Sequence, residues 1–144
     1  MAPSLRETII ELEDQTWKAL SEDGAALIPY LSHDCIMLFP MGMKVTASSE
    51  PNLKQVMTSE AFVPWETYKM SDVEVTPIGT DAAIISYRVK AFRQPLDSDE
   101  EDDREAPPPF VAFIASTWRR NPHNEKWLMC FQQQTPYQDS ELFS

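Results

Sequence analysis

Few side chains in this sequence are suited to catalysis, and they do not cluster along the chain. The two histidines, His33 and His123, lie among turn-forming residues, so we expect both to be solvated rather than catalytic. The two cysteines, Cys35 and Cys130, lie in apolar runs, and we predict buried free thiols in a reducing compartment. Patterns for a zinc site, a phosphate-binding loop and a nucleophile elbow are absent, and three dispersed glycines cannot form a glycine-rich loop.

The carboxylates worth weighing for acid–base chemistry are Asp34 and Glu66. Asp34 ends a predicted turn over 32–34, where its side chain is expected to cap backbone N–H groups. Glu66 is expected in solvent, next to Trp65 at the mouth of a pocket. The run Asp97–Glu105 is strongly acidic but has no glycine and no metal-ligand spacing, so we predict a flexible, solvated loop over 96–109. We therefore expect no catalytic group, metal or cofactor.

Three consecutive glutamines stand in the second strand of a predicted hairpin that runs from Phe110 to Pro136. Strand alternation puts Gln132 and Gln134 on one face and Gln133 on the other, without saying which face is inside. An inward amide must be hydrogen-bonded. For Gln132 and Gln134 the partners are each other, Ser116 or Tyr87, water, or a ligand, and these alternatives remain open.

Hydrophobic periodicity indicates the elements that would position these side chains. Ser4 caps a first helix that runs to about Ser21, with Trp17 on its apolar stripe, and Ser48 or Ser49 caps a third helix. From Trp65 onward the period changes to two, with an irregularity near Ser71. The predicted helices are 5–21, 25–31 and 50–57, and the predicted strands are 35–39, 44–46, 65–75, 82–93, 110–120 and 127–136. The order predicts an α+β domain with helices on one face of a curved antiparallel sheet.

Length and charge limit the possible functions. The 144 residues suit one domain, predicted over 1–137, followed by a short tail over 138–144. The formal net charge of −11 argues against nucleic-acid binding. No apolar run approaches the roughly 20 residues that a membrane span needs. The first residues lack a signal-peptide pattern, so we expect a cytoplasmic protein that does not bind membranes.

An ordered set of short motifs resembles the nuclear transport factor 2-like superfamily, in its SnoaL-like branch of unassigned function. No single motif is exclusive, but together they cover nearly the whole chain. They are Trp17–Leu20 with Asp23-Gly24, Leu31–Asp34 leading into Cys35–Pro40, Asp72–Val75 with Gly79–Ala83, and Thr117–Arg120 with Lys126-Trp127 and Gln134–Pro136. The resemblance implies a cone, in which a bent sheet of about six strands wraps around three N-terminal helices and encloses a pocket.

The resemblance also implies which strand faces line the pocket. Similarity to the association domain of calcium/calmodulin-dependent kinase places a polar pocket residue at Gln134, which favours Leu128, Cys130, Gln132 and Gln134 as the inward set. The same comparison turns Ser116 and Val89 inward, and alternation adds Ile85, Tyr87 and Ile114. Similarity to ketosteroid isomerase places Trp17 where that enzyme has its oxyanion-stabilising tyrosine, and Phe39 where it has its catalytic aspartate. Phe39 cannot abstract a proton, so catalysis of that kind is in doubt.

These considerations favour a small-molecule-binding domain with a largely apolar pocket. The predicted ligand-binding residues are Trp17, Met37, Phe39, Trp65, Tyr87, Ser116, Gln132 and Gln134. Two alternatives remain. One is an isomerase, dehydratase or cyclase of polyketide-like or steroid-like substrates that uses Tyr87, Glu66 or Asp34, and the other is a protein-interaction module. The expected partners are a small apolar molecule and a second copy bound through the outer sheet face, with contributions from Arg88, Trp118, Trp127 and Phe131.

Overall fold

A computed structural model describes residues 3–93 and 108–138. The acidic run 97–105 and nearly all of the predicted tail lie outside these ranges, so their predicted roles and the predicted domain limits stay predictions. The elements are the helices α1 (Leu5–Leu20) and α2 (Leu53–Met57), two 3-10 turns (Ala25–Tyr30 and Pro40–Gly42), and six strands: β1 (Leu31–Phe39), β2 (Met43–Val45), β3 (Trp65–Ile78), β4 (Ala82–Arg93), β5 (Phe110–Arg120) and β6 (Trp127–Pro136).

The strands form one six-stranded sheet in the order β2-β1-β6-β5-β4-β3. Strands β3 to β6 make an antiparallel meander, as each is joined to the next along the chain. Strand β1 pairs antiparallel with β2 but parallel with β6. The predicted α+β fold with about six strands is therefore confirmed, and the sheet is mixed because one of its pairings is parallel.

Helix α1 packs against the inner face of the meander. Its first turn is capped as predicted, because the Ser4 Oγ accepts a hydrogen bond from the Glu7 N–H at 3.1 Å. The buried side chains Ile9, Glu13 and Trp17 follow one another at intervals of four residues, so they form one stripe. On β3 the Tyr68 hydroxyl donates to the Asp14 carboxylate at 2.6 Å, which ties the helix to that strand.

Two predicted local structures were wrong. Residues 32–34 are not a turn but belong to β1, whose pairing with β6 is irregular between Leu31 and Ile36. Helix α2 does not begin at Glu50 under a serine cap, because Asn52 caps it. The Asn52 side chain accepts from the Gln55 N–H at 2.9 Å, and the Gln55 side chain accepts from the Asn52 N–H at 2.8 Å. This reciprocal capping box provides acceptors for the backbone N–H groups of Asn52 and Gln55 at the start of the helix.

Irregularities in the strand pairing decide which side chains face inward. The register of β3 and β4 shifts between Ser71 and Glu74, as predicted near Ser71. A second shift, between Thr117 and Trp118, makes Cys130 an extra residue in β6. Trp118 therefore pairs with Met129, and both are fully buried. The predicted inward positions of Leu128 and Cys130 were wrong for this reason. Trp118 also cannot contribute to the outer face.

Gly24, between α1 and the first 3-10 turn, is required by a close approach of two backbone segments. A β-carbon at Gly24 would collide with the backbone carbonyl of Met57, at the end of α2. The absence of a side chain therefore lets α2 close over the end of the inner face.

Candidate functional site

A cavity of about 270 Å³ opens between α1, α2 and the inner sheet face. Six of the eight predicted ligand-binding residues line it, while Tyr87 and Ser116 lie behind this wall and are bonded to it. Ligand contact by any of the eight stays a prediction. The full lining is Trp17, Leu20, Leu27, Met37, Phe39, Pro40, Met57, Phe62, Trp65, Arg93, Phe110, Gln132 and Gln134.

A buried carboxylate, Glu13, is the centre of the polar network behind the cavity. Its side chain has no solvent exposure. The hydroxyl groups of Tyr87 and Ser116 donate to its Oε2 at 2.5 and 2.8 Å, and the Gln132 amide contacts the same oxygen at 3.4 Å. The Trp118 indole donates to Oε1 at 2.8 Å. Four side chains from β4, β5 and β6 thus converge on one carboxylate from α1.

Hydrogen bonds connect Glu13 to the cavity by two routes. Trp17, in the cavity wall, donates its indole N–H to the Tyr87 hydroxyl at 2.8 Å, and this hydroxyl donates to Glu13. Along the other route, Gln134 donates to the Gln132 carbonyl at 3.1 Å, and the Gln132 amide donates to Ser116 at 3.1 Å. A ligand that contacts Trp17 or Gln134 is therefore two or three hydrogen bonds from the buried carboxylate.

The donor pattern suits an ionised Glu13. All four groups that contact it are donors, and an ionised carboxylate only accepts. Burial opposes ionisation and raises the pKa of Glu13 above its ordinary value near 4.5, while the hydrogen bonds from Tyr87, Trp118, Ser116 and Gln132 work in the opposite direction. Burial and the neighbouring Glu13 charge raise the pKa of Tyr87 well above 10, so its phenol stays a donor.

The sequence held a signal for Glu13 that our predictions overlooked. The residue stands four positions after Ile9 and four before Trp17, in the middle of the apolar stripe of α1. A charged side chain at that place must be buried with partners. The Gln132 amide and carbonyl both have protein partners. Whether Gln132 and Gln134 also contact a ligand stays a prediction, because both line the cavity.

Aromatic rings and one cation lie next to one another in the cavity lining. The Trp65 ring lies 5.8 Å from that of Trp17 and 5.6 Å from that of Phe110, measured between ring centroids. The Arg93 guanidinium stacks 4.1 Å above the Trp65 ring centroid, and its Nε donates to the Val63 carbonyl at 3.2 Å. Arg93, which the sequence predictions did not include, is the cation in the lining of this cavity.

The other groups weighed for chemistry lie away from the cavity. Asp34 accepts from Arg119 and from the Ser32 hydroxyl, and these bonds lower the pKa of Asp34 to about 2. Glu66 and both histidines are exposed. Both cysteines are free, and burial raises the pKa of Cys35 to about 12, so its thiol stays protonated.

The described residues contain neither a metal-binding cluster nor a membrane-spanning helix. Within 3–93 and 108–138, no three His, Cys, Asp or Glu side chains are grouped so as to hold a metal ion. In the same ranges, no helix has the length and apolar character that crossing a membrane requires.

Solved structures of three proteins share this architecture at low sequence identity. A protein with the nuclear transport factor 2-like fold from Cytophaga hutchinsonii superposes with a TM-score of 0.71 at 14% identity, covering 94% of this chain and 100% of its own. A candidate ketosteroid isomerase from Parabacteroides distasonis gives 0.69 at 18% identity, covering 94% and 89%. The association domain of calcium/calmodulin-dependent kinase II from C. elegans gives 0.64 at 12% identity, covering 90% and 93%.

The chain has the nuclear transport factor 2-like fold. The resemblance found in the sequence motifs is confirmed at this level, while assignment to the SnoaL-like branch stays a prediction. No protein-family model matches the sequence, and no curated protein matches it significantly. At these identities the fold is shared and the activity has to be argued from this chain's own residues.

Proposed function

We propose that this nuclear transport factor 2-like domain binds a small, largely apolar molecule in the cavity between α1, α2 and the sheet. The observation that supports it is the composition of the cavity wall: aromatic and aliphatic side chains with few polar groups, among them Gln134. Such walls are typical of small-molecule sites, and 270 Å³ is slightly below the usual range of about 300–1,000 Å³, which suits a small ligand.

Gln134 is the polar group most available to a ligand. It is half-buried, and its amide N–H donates to Gln132. No residue in the described ranges donates to its carbonyl oxygen. A hydroxyl or amide N–H on the ligand could donate a hydrogen bond to this oxygen.

Native mass spectrometry of the protein purified from its own source tests the proposal. We expect a reproducible additional mass on the wild type, because a ligand enclosed by aromatic walls dissociates slowly. Leu20→Trp, which fills the cavity from α1, should abolish the additional mass. Glu11→Trp, on the exposed side of the same helix, is the matched control and should retain it. An unliganded wild type that also binds nothing from a small-molecule panel would contradict the proposal.

We further propose that two copies associate through the outer sheet face. A groove of about 580 Å³ crosses this face and carries both Arg88 and the acidic pair Asp72 and Glu74. Phe113 in the same groove is 45% exposed, and an interface over it would remove this apolar ring from water. A two-fold pairing would cover the apolar ring on both copies. An association domain among the similar structures supports the same reading.

Analytical ultracentrifugation measures this association directly. Phe113→Glu should shift the protein from dimer to monomer, whereas Met43→Glu, on the exposed β2 edge, should leave the dimer unchanged. A wild type that is monomeric at all concentrations would favour the interaction module, with another protein on this face.

Catalysis as an isomerase, dehydratase or cyclase is the second candidate, and the Glu13–Tyr87 pair favours it. A buried carboxylate with a raised pKa, bonded at 2.5 Å to a phenol, is the kind of group that general acid–base catalysis uses. Glu13 lies behind the wall, so it would act through Tyr87 or Gln132. Isomerisation of a Δ5-3-ketosteroid, followed by ultraviolet absorbance, tests this. Turnover that falls at least 100-fold in Glu13→Gln would support the hypothesis that the protein is an enzyme. Absence of turnover across a panel of steroid substrates would exclude steroid isomerisation.

A further inference from the structure

Arg93 is a cation at the mouth of an apolar cavity. It comes from the end of β4, and its guanidinium carbon lies over the Trp65 ring, 4.1 Å from the ring centroid. The Nε is fixed by the Val63 carbonyl at 3.2 Å. The side chain is thereby held on two sides, by the indole and by the carbonyl. A guanidinium that is both stacked and hydrogen-bonded through Nε presents its two terminal nitrogens in a defined direction.

No carboxylate of the described ranges pairs with this guanidinium. The other arginines of β4 and β5 all have acidic partners within 3.1 Å: Arg88 pairs with Asp72, Arg119 with Asp34, and Arg120 with Asp81. Partial burial at the cavity mouth lowers the pKa of Arg93, as expected for a cation without a compensating anion. Within residues 3–93 and 108–138, the terminal nitrogens of Arg93 thus have no carboxylate acceptor.

The pairing of β4, β5 and β6 places Arg93 and Gln134 at different levels along the sheet. On β4, Arg93 is six residues from Tyr87, and Tyr87 lies level with Ile114 and Gln134 across the sheet. The carboxylate of Glu13 is bonded at the Tyr87 level. An anion held by Arg93 would therefore lie near the mouth, away from the buried negative charge, while an apolar body filled the space lined by Leu27, Met57 and Phe110.

We infer that the ligand of the cavity is an apolar monocarboxylic acid whose carboxylate is held by Arg93 over Trp65. This inference rests on the proposed binding function and specifies its ligand class. A single guanidinium fork matches one carboxylate in two parallel hydrogen bonds. A phosphate dianion would require further donors or cations, and among the described residues of the lining Arg93 is the only cation. The apolar wall selects the rest of the molecule.

Binding of octanoate and octanamide, measured by isothermal titration calorimetry at 0.15 M salt, tests the inference. The two probes have the same chain and differ in charge. We expect the wild type to bind octanoate at least tenfold more tightly, because hydrogen bonds to charged groups are stronger than neutral ones. Arg93→Gln should bind both probes equally and with the affinity of the neutral one. Lys69→Gln, an equal loss of charge on the outer face, should retain the preference.

Two further measurements separate the possible failures. Arg93→Lys keeps the charge without the fork and should keep part of the preference, provided thermal melts show that both Arg93 variants fold. Equal binding of the two probes to the wild type, abolished by Leu20→Trp, would overturn this inference and leave the binding function standing. Binding of neither probe would overturn the inference, and the additional mass in native spectra would then decide the function separately.

Discussion

Replacing Glu13 tests the central structural argument, because this carboxylate joins α1 to three strands. Glu13→Gln keeps the shape of the side chain but changes one acceptor oxygen into a donor. If the amide oxygen takes the place of Oε2, the bonds from Tyr87 and Ser116 survive. The new NH₂ group then faces the Trp118 indole N–H, which bonded Oε1 at 2.8 Å.

The magnitude follows from these contacts. A buried donor without an acceptor costs about 1–3 kcal/mol, and the two retained bonds lose their charge assistance. Removing the desolvation penalty of a buried carboxylate offsets part of this loss. We expect the free energy of unfolding to fall by about 2 kcal/mol at pH 7. Glu13→Leu should cost more, because it leaves all four donors without their acceptor.

The pH dependence gives a second, independent signature. Burial raises the pKa of folded Glu13 above its ordinary value near 4.5, so the folded state binds this proton more tightly than the unfolded chain does. The contribution of Glu13 to stability is therefore complete below pH 4.5 and declines as the pH rises through the folded pKa. The stability of the wild type minus that of Glu13→Gln should be largest at the acidic end and fall towards neutral pH.

Urea denaturation from pH 4 to 8 at fixed protein concentration measures both effects. Glu11→Gln, on the exposed side of α1, is the matched control and should change stability by less than about 0.5 kcal/mol. Glu13→Leu as stable as the wild type would refute the hydrogen-bond argument. A stability difference that grows with pH would show that the hydrogen bonds to Glu13 affect its pKa more than burial does, so that the pKa of folded Glu13 is lowered.

Three further predictions concern Tyr87, Gln134 and Asp34. Tyr87→Phe should lower the free energy of unfolding by about 1–3 kcal/mol in urea titrations, because Trp17 loses its acceptor and Glu13 a donor; an unchanged midpoint would mean that water replaces the hydroxyl. Gln134→Leu should melt within a few degrees of the wild type while altering ligand binding, and a large loss of thermal stability would mark Gln134 as structural. Asp34→Asn should cost less than about 1 kcal/mol, since its pair with Arg119 is half-exposed. With the folded pKa of Asp34 lowered to about 2, that contribution should be present above pH 4 and lost as the pH falls, as acid titrations of both proteins would show.

Sequence patterns predicted the meander closely because period-two alternation and turn residues are local signals. Strand β4 and the hairpin of β5 and β6 have the predicted limits. Local signals could not show that Cys130 is an extra residue in β6, since a bulge depends on the pairing of two strands. They also could not show that residues 32–34 join β1, whose neighbours come from distant parts of the sequence.

The cavity wall was predicted better than the chemistry behind it. Apolar wall residues such as Met37 and Phe39 follow from hydrophobic runs, and Gln134 from alternation. The place of Glu13 in the apolar stripe of α1 signals burial, but the sequence does not identify its partners. For Arg93 the sequence does not show whether the charge lies against a cavity or in solvent. Four donors from β4, β5 and β6 reach Glu13 only after the sheet has formed.

The parallel pairing of β1 with β6 has a consequence for the order of folding. It joins Leu31 to Met129, residues almost a hundred positions apart, whereas every meander pairing links successive strands. Closing so long a loop is entropically costly, so this pairing is expected to form late. During synthesis on the ribosome, α1 emerges before the strands. The contact between Glu13 of α1 and Gln132 of β6 can form only after β6 has emerged. A nascent chain that stops before β6 would therefore present an open sheet edge at β5, a feature that attracts chaperones and proteases.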